Sequence, residues 1–367
     1  MLNKDVFYLL ALQAIDGIGD INARKLIEHC GSAQKVFEEK PYVLEKIRGI
    51  RPGLSDKLKN KKLFEKAEKE LCFAQANQVT IISYLDKDYP LRLRECSDAP
   101  LVLFKKGSFA LGKRRIISIV GTRMMTPYGR QFLTDFLADL KCYNPIVVSG
   151  LAYGIDICAH KEALNNNLTT IGVLAHGFDR IYPRAHGKIA LKMMEDGGFY
   201  TEFCSGTNPE KMNFVKRNRI VAGISEATIV VESARKGGSL ITADLANSYY
   251  RDVFAVPGRV KDLYSEGCNM LIKSNKAAMI TSVKDLEYIL GWKTDERKVK
   301  EIQQKMFIEL NPDEQLVFNR LKEYEKQVLD ALAPACKMSI QKTVSILLQL
   351  ELKGMVKSLP GKWYQPI

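Results

Sequence analysis

Four lysine and arginine side chains surround one aromatic residue in the segment KMNFVKRNR, residues 211–219. Cations bind phosphates and a flat apolar ring stacks on an unpaired base, so this combination favours a single strand of nucleic acid as ligand. The alternative is a solvated basic helix start in which Phe214 packs inward. Because stacked cations at the beginning of a helix oppose its dipole, the cluster favours an anionic ligand over that alternative.

Short glycine-bearing loops follow several apolar runs, and their composition suits a bound anion. The run IISIV precedes the loop at 121–123, where glycine permits a tight turn and arginine offers a rigid fork of donors. The run PIVVSG ends in a serine and a glycine at 149–150, and the glycine pair at 237–238 precedes a helical pattern. Backbone N–H groups at the beginning of a helix bind phosphates, so these loops predict a phosphate site. At the first loop, the alternative is an ordinary strand–turn–helix junction.

A parallel sheet would bring these segments to one edge. Apolar runs alternate with helical stretches from about 115 to 290, which predicts βαβ units and a Rossmann-like, doubly wound α/β fold. In such a sheet the ligand crevice lies outside the carboxyl ends of the strands, where these loops begin. The predicted strands are 116–120, 145–150, 169–175, 198–203, 227–233, 253–256 and 277–280. The candidate binding residues are Gly121, Thr122, Arg123, Ser149, Gly150, Lys211, Phe214, Lys216, Arg217, Asn218, Arg219, Gly237 and Gly238.

The flanks of the predicted sheet have a different organisation. Residues 1–78 show the three- and four-residue apolar spacing of amphipathic helices, with a Gly17-Ile18-Gly19 turn similar to a helix-hairpin-helix or SAM-like domain. A structural helical cap is an equally good interpretation of that turn. The predicted Rossmann-like domain covers 79–291 and begins with an irregular lead-in strand and loop at 79–114.

A charged stretch at 292–308 is predicted to be a linker, and 309–367 is predicted to be a winged-helix-like module of three helices and a hairpin. In that module the helix SIQKTVSILLQLELKGMV has only Lys342 as a cation in its first half. Contact with another protein is therefore at least as good an interpretation as duplex binding. A duplex-specific regulator remains open as a third function.

The charge balance agrees with a polyanionic partner. Lys and Arg number 55 against 42 for Asp and Glu, a net charge of +13. No apolar stretch is long enough to span a bilayer, and the first twenty residues do not predict a signal peptide, so no membrane contact is expected. The eight cysteines are scattered without a CxxC pair, which predicts free thiols in a reducing cytoplasm.

Motifs that would indicate catalysis are missing. The sequence has no GxGxxG after the first strand and no GxxxxGK[ST], GxSxG or HExxH. Asp156 and His160 share a helix face but lack a third ligand, so an N-capping Asp and a packed His are favoured over a metal site. We therefore predict a non-enzymatic binding protein with no metal and no cofactor. The alternative is a nucleotide phosphoribohydrolase-like enzyme on a similar fold, with Glu202, Glu232 or Asp244 as its carboxylate.

The ordered set of motifs resembles the DNA-processing protein A family (DprA, also called Smf). The resemblance runs from about 116 to 278 and is carried by IVGTRMMTPYGR, VVSGLAYGIDICAHKEAL, IGVLAHGFDRIYPRAH, the long segment from GGFYTEF to SLITADLA, and VFAVPGRVKDLYSEGCNMLIKSNKA. Thr122 stands where the family usually has serine, which keeps the hydroxyl.

The resemblance implies a cytoplasmic bacterial protein that binds and protects single-stranded DNA during natural transformation. It also implies a homodimer formed through the Rossmann-like domain and loading of the recombinase RecA onto the strand. Carried over by motif, the DNA-contacting residues would be Gly121, Thr122, Arg123, Ser149, Gly150, Lys211, Phe214, Arg217, Asn218 and Arg219.

Overall fold

The computed structural model describes residues 4–50, 53–292, 310–324, 326–353, 355–359 and 361–366. These described residues form two compact units, which fall within 1–293 and 294–367. Apart from Trp292, the linker predicted at 292–308 lies outside the described residues. No helix in the described part of the chain combines the length and apolar character that crossing a bilayer requires.

The first unit begins with a group of helices that pack against the edge of a sheet. Leu9, Leu12 and Leu26 are almost completely buried in this helical core, which also takes in Val102 and Phe104 from the sheet. The helical part and the sheet therefore share one core. The helices are α1 Lys4–Gln13, α2 Asp20–Cys30, α3 Ala33–Glu38, α4 Pro41–Leu44, α5 Leu54–Leu58 and α6 Lys62–Ala76.

A nine-stranded sheet forms the centre of the first unit. Its strands are β1 Thr80–Ser83, β2 Val102–Gly107, β3 Ile116–Val120, β4 Ile146–Ser149, β5 Thr170–Val173, β6 Gly198–Thr201, β7 Ala227–Val230, β8 Asp252–Ala255 and β9 Ala278–Met279. They lie in the order β1-β2-β6-β5-β4-β3-β7-β8-β9, and every pair from β6 to β9 is parallel. All seven strands predicted from the apolar runs are present, so the α/β prediction is confirmed.

The lead-in at 79–114 is more regular than its sequence indicates. β1 and β2 pair antiparallel, and β2 pairs antiparallel with β6, extending the sheet by two strands. Gly107 and Gly198 lie opposite each other in this ladder, and a Cβ on Gly107 would come within 2.3 Å of the Gly197 carbonyl oxygen. Because the partner strand is far away in the sequence, local composition does not reveal this pairing.

Helices cover both faces of the sheet, as expected because every residue of its five central strands, β3 to β7, is buried. Helix α8 illustrates the local signals: Thr126 caps it by accepting from the Gly129 N–H, and Pro127 occupies its first turn. The helices of this part are α7 Leu91–Arg94, α8 Pro127–Leu140, α9 Ile155–Asn165, α10 Gly187–Met193, α11 Lys211–Ile224, α12 Gly238–Ser248, α13 Glu266–Lys273 and α14 Val283–Leu290.

The second unit is a winged-helix domain, as predicted. It contains α15 Pro312–Glu323, α16 Leu329–Ala335 and α17 Ile340–Leu352, with β10 Gln327–Val328, β11 Val356–Leu359 and β12 Trp363–Pro366 in a sheet of order β10-β12-β11. Asn311 and Glu314 form a reciprocal capping box at the beginning of α15. Val317, Leu321, Leu332, Leu347 and Leu350 form its core.

Candidate nucleic-acid interface

A pocket of about 540 Å³ opens at the carboxyl ends of β3 and β7, two adjacent strands of the parallel sheet. The chain continues from β3 to β4 on one side and reaches β7 on the other, so this is the switch point at which doubly wound sheets bind ligands. Its lining includes nine of the thirteen predicted residues: Gly121, Thr122, Arg123, Lys211, Phe214, Arg217, Asn218, Gly237 and Gly238. We call it the switch-point pocket.

The loop after β3 forms one wall of the switch-point pocket. The Thr122 N–H donates to the Glu232 carbonyl oxygen at 2.7 Å, and the Thr122 hydroxyl accepts from the Met124 N–H at 3.1 Å. A Cβ on Gly121 would come within 2.5 Å of the Ile155 side chain, so glycine is required for this close packing. Arg123 is exposed, and its guanidinium carbon lies 5.2 Å from the centre of the Phe214 ring.

Helix α11 forms the opposite wall with one of its faces. Lys211, Phe214 and Asn218 follow the three- and four-residue spacing of a helix face, and all three line the switch-point pocket. Lys211 is the first residue of the helix, where a cation is disfavoured unless an anion is bound nearby. Phe214 is only half-buried, so part of its ring remains open to a ligand.

Lys216 and Arg219, which the sequence places in the same cluster, do not line this pocket. They lie on the other side of α11, where the Lys216 ammonium is 2.8 Å from Glu202. Arg219 is buried, which acts to lower its pKa, but its pairs with Glu202 at 2.5 Å and with Asp20 at 2.9 Å outweigh burial and raise the pKa. Its charge is therefore already neutralised, and its position links α11 to the N-terminal helices rather than to a ligand.

Arg217 lines the floor of the pocket, and Ser149 and Gly150 do not line it. The Ser149 hydroxyl is buried and donates to the Ile119 carbonyl oxygen at 2.6 Å. Arg217 donates to the carbonyl oxygens of Gly150 (2.7 Å) and Val173. Burial lowers the pKa of Arg217 to about 10, although Asp156 opposes this change. A Cβ on Gly150 would lie 2.5 Å from the Arg217 guanidinium, so the glycine makes room for the buried arginine.

Asp156 is a further candidate site residue, and its place in the pocket is not indicated by the sequence. It lines the pocket and accepts from the Gly150 N–H at 3.2 Å, although Gly154, not Asp156, is the N-cap of α9. Burial raises the pKa of Asp156, while Arg217 and the backbone N–H groups act to lower it. His160 is buried and its Nδ1 lies 2.7 Å from the Thr170 hydroxyl, in agreement with a packed histidine.

The beginning of α12 completes the pocket. Gly237 is the N-cap and Gly238 the first helical residue, so unpaired N–H groups of the first turn lie at the pocket wall. A Cβ on Gly237 would come within 2.2 Å of the Ser233 hydroxyl. Lys236 precedes the pair and is exposed at the rim.

The electrostatic character of the pocket follows from three exposed cations, Arg123, Lys211 and Lys236. None of the three forms an ion pair with another described residue. Cations without a partner, helix N–H groups and an open aromatic ring together suit a chain of phosphates that carries unpaired bases.

The three carboxylates of the hydrolase alternative do not reach this pocket. Glu202 is bound to Lys216 and Arg219, and Asp244 pairs with Lys276 at 2.9 Å. Glu232 accepts from the N–H and the hydroxyl of Thr126 and faces a separate cavity of about 930 Å³. The carboxylate that does line the pocket is Asp156, which accepts from the Gly150 N–H and is not one of these three.

In the winged-helix unit, the exposed surface of α17 includes one apolar stripe beside polar residues. Ile340, Val344, Leu348 and Leu352 recur every fourth residue along it, and all are exposed. Lys342 is tied to Asp313 at 2.7 Å. We call these four residues the α17 stripe.

Comparisons with known proteins agree with this architecture. A family model described as DNA recombination-mediator protein A matches residues 80–290, and one described as the DprA winged helix domain matches residues 308–362. The Smf protein of Synechocystis sp. is 30% identical over 402 aligned positions, which cover 100% of both chains.

Two solved structures are similar to this chain in both sequence and fold. DNA processing protein A of Streptococcus pneumoniae is 32% identical with a TM-score of 0.63, covering 76% of this chain and 96% of that one. The Helicobacter pylori protein, whose structure is described for its single-stranded DNA binding mode, is 28% identical with a TM-score of 0.52. That match covers 58% of this chain and 95% of the other.

Proposed function

Because this chain belongs to the DNA recombination-mediator protein A family, we propose that it binds single-stranded DNA without sequence preference in the switch-point pocket. The observation that carries the proposal is the meeting of unpaired cations and an accessible aromatic ring at one sheet edge. Arg123, Lys211 and Lys236 would bind phosphates, and Phe214 would stack on a base. The single-stranded DNA binding mode described for the similar H. pylori protein supports the same ligand.

Single strands are favoured over duplex for a physical reason. The Phe214 ring can only stack on a base that is not already stacked and paired. Every base has an apolar face, so binding by stacking and phosphate contact does not depend on sequence.

We further propose that the bound strand is handed on to a recombinase. A bound and protected strand in a recombination mediator would be passed to a RecA-type recombinase, in the cytoplasm and during natural transformation. A homodimer through the Rossmann-like domain stays a prediction from the family resemblance. Loading would be measured as an earlier onset of RecA-dependent ATP hydrolysis on single-stranded DNA that was first covered by this protein.

Fluorescence anisotropy of labelled oligo(dT) tests the binding proposal. We expect unlabelled single strands of different sequence to compete about equally, a matched duplex to compete poorly, and the affinity to fall steeply with salt. A duplex that competes as well as a single strand would contradict the proposal. Release of a free base from a nucleotide would instead favour the hydrolase alternative.

A further inference from the structure

Two exposed tyrosines extend the aromatic surface beyond Phe214. Tyr182 is 44% exposed, and its ring centre lies 6.0 Å from that of Phe214. Tyr153, on the loop after β4, is 49% exposed. Neither tyrosine hydroxyl has a hydrogen-bond partner among the described residues. We call Phe214, Tyr182 and Tyr153 the aromatic rim.

A buried histidine holds the two tyrosines in fixed positions relative to each other. The backbone N–H of His186 donates to the Pro183 carbonyl oxygen at 3.0 Å. The ring Nδ1 of His186 lies 2.9 Å from the Leu151 carbonyl oxygen. The ring of Tyr153 packs edge-on against His186, with centres 4.8 Å apart. His186 therefore ties the segment that carries Tyr182 to the loop that carries Tyr153.

The same loop is anchored to the switch-point pocket. The Ile155 N–H donates to the Thr122 carbonyl oxygen at 3.1 Å. Gly154 has a φ of +77°, and a Cβ there would come within 2.2 Å of that oxygen, so glycine allows the two loops to touch. The aromatic rim is thus continuous with the wall that presents Arg123.

We propose that Tyr182 and Tyr153 are further base-stacking positions, so that the strand leaves the switch-point pocket along the aromatic rim. This inference rests on the proposed function and adds the path of the strand. Exposed rings that keep no polar partner are expected at a surface that a flat apolar ligand covers. Arg184, which is exposed on the same segment as Tyr182, supplies a cation for the phosphates along this path.

The spacing of the rings predicts how the bases lie. Phe214 and Tyr182 are tilted by 55°, so they present faces in different directions and cannot sandwich one base. Their separation of 6.0 Å exceeds the ~3.4 Å rise between stacked bases. Successive bases on the two rings would therefore be separated from each other, which keeps the strand extended.

Affinity measurements with intact and abasic oligo(dT) test the rim. Tyr182→Ala should weaken binding of a short oligo(dT) about tenfold, with no change in the dependence of affinity on salt, because the loss is a stacked base and not a phosphate contact. Tyr182→Phe keeps the ring and should bind like the wild type. Tyr250→Ala is the matched control, because Tyr250 is 96% exposed at the other end of α12 from the pocket.

The abasic oligonucleotides separate a stacking role from a structural one. At one position, removal of the base should weaken wild-type binding about tenfold and should leave Tyr182→Ala unaffected. Tyr153→Ala should show the same pattern at a different position, and only for oligonucleotides long enough to reach it. A general structural defect would instead weaken binding equally with every oligonucleotide and change the circular dichroism spectrum.

Failure of the aromatic-rim proposal and failure of the proposed function give different results. If the wild type binds oligo(dT) and Tyr182→Ala and Tyr153→Ala bind within twofold of it, the aromatic rim is overturned and the proposed function is unaffected. If the wild type itself does not bind oligo(dT), the proposed function fails.

Discussion

The switch-point pocket and the α17 stripe differ in surface chemistry. The pocket exposes cations that have no ion-pair partner, whereas the α17 stripe is apolar and its neighbour Lys342 is paired with Asp313. A winged-helix fold is often associated with duplex binding through the helix that corresponds to α17. Here Lys342 is the one cation of that helix and is already paired, whereas the pocket exposes three cations without an ion-pair partner among the described residues, so the side chains and not the fold decide where DNA is expected to bind.

The two regions also differ in what lies beneath their surfaces. Arg217 and Asp156 are buried at the pocket, and His160 is buried one helical turn after Asp156 on α9. Beneath the α17 stripe lies an apolar core that includes Leu347 and Leu350. We therefore expect the pocket to be sensitive to loss of charge and to pH, and the winged-helix unit to be sensitive to neither in the same range.

The largest effect is expected from Arg217→Ala. Its removal leaves Asp156 buried without its charge partner and frees the carbonyl oxygens of Gly150 and Val173, so the first unit should lose about 3–5 kcal/mol of unfolding free energy. Arg320→Ala is the matched control, because its pair with Glu323 is exposed and should contribute little.

Denaturation followed by tryptophan fluorescence measures this difference unit by unit. The only two tryptophans are Trp292, buried in the first unit, and Trp363 in the second, so Trp363→Phe and Trp292→Phe backgrounds report each unit alone. Equal losses for Arg217→Ala and Arg320→Ala would contradict the buried role of Arg217.

A pH effect of about 2 kcal/mol is expected from His160. Burial, with smaller effects from His186 and Arg217, lowers its pKa to about 3, so the folded protein keeps it neutral. The unfolded chain takes up a proton below about pH 6.5, and stability from this residue is therefore lost as the pH falls from 6.5 toward 3, by about 2 kcal/mol at pH 5.

His160→Asn isolates this contribution, because Asn can still bond to Thr170. Asp156, whose raised pKa acts in the opposite direction, is common to both proteins and cancels in the comparison. The loss of stability between pH 7 and pH 5 should be about 2 kcal/mol smaller in the variant. The winged-helix unit contains no histidine, so the stability that Trp363 reports should not show this histidine-dependent loss between pH 7 and pH 5.

Lys211 and Lys216 should differ by roughly tenfold in their effect on DNA affinity. Lys211→Ala removes a cation that lines the pocket, and should weaken binding of every single strand to a similar extent. Lys216→Ala removes a side chain that is already paired with Glu202, so its effect on affinity should be small. Anisotropy titrations of the two variants against oligo(dT) make the comparison, and equal losses would mean that the strand crosses both faces of α11.

The smallest effect is expected from the α17 stripe. Leu348→Asn changes an exposed residue of the stripe, so single-strand affinity should stay within twofold of the wild type. A larger loss, measured in the same titration, would place the strand on the winged-helix unit as well and remove the contrast between the two regions.

Much of the fold and of the pocket can be predicted from local sequence. The apolar runs predict the seven parallel strands. Because the carboxyl ends of parallel strands meet at one edge of the sheet, the loop after the first of these runs predicts Gly121, Thr122 and Arg123 as site residues. The pairing of β2 with β6 could not be predicted in this way, since it joins strands that are far apart in the chain.

The sequence also does not indicate which cations of the basic cluster face the pocket and which form ion pairs. Lys211 and Arg219 look equivalent in a nine-residue run. In the helix, however, Lys211 faces the pocket and Arg219 faces Asp20. Because Asp20 lies 199 residues away in the sequence, no local pattern indicates this contact. In the same way, Arg217 appears to be a phosphate ligand until the structure shows it buried under Gly150.

The most direct test of the central claim measures the affinity for oligo(dT) as a function of salt for the wild type, Arg123→Ala and Lys342→Ala. If the strand binds in the switch-point pocket, Arg123→Ala should weaken binding and reduce the slope of log affinity against log salt by about 0.7, the value for one lost phosphate contact on a single strand. Lys342→Ala should reproduce the wild-type line. An unchanged line for Arg123→Ala together with a shallower one for Lys342→Ala would contradict the account and place the strand on the winged-helix unit.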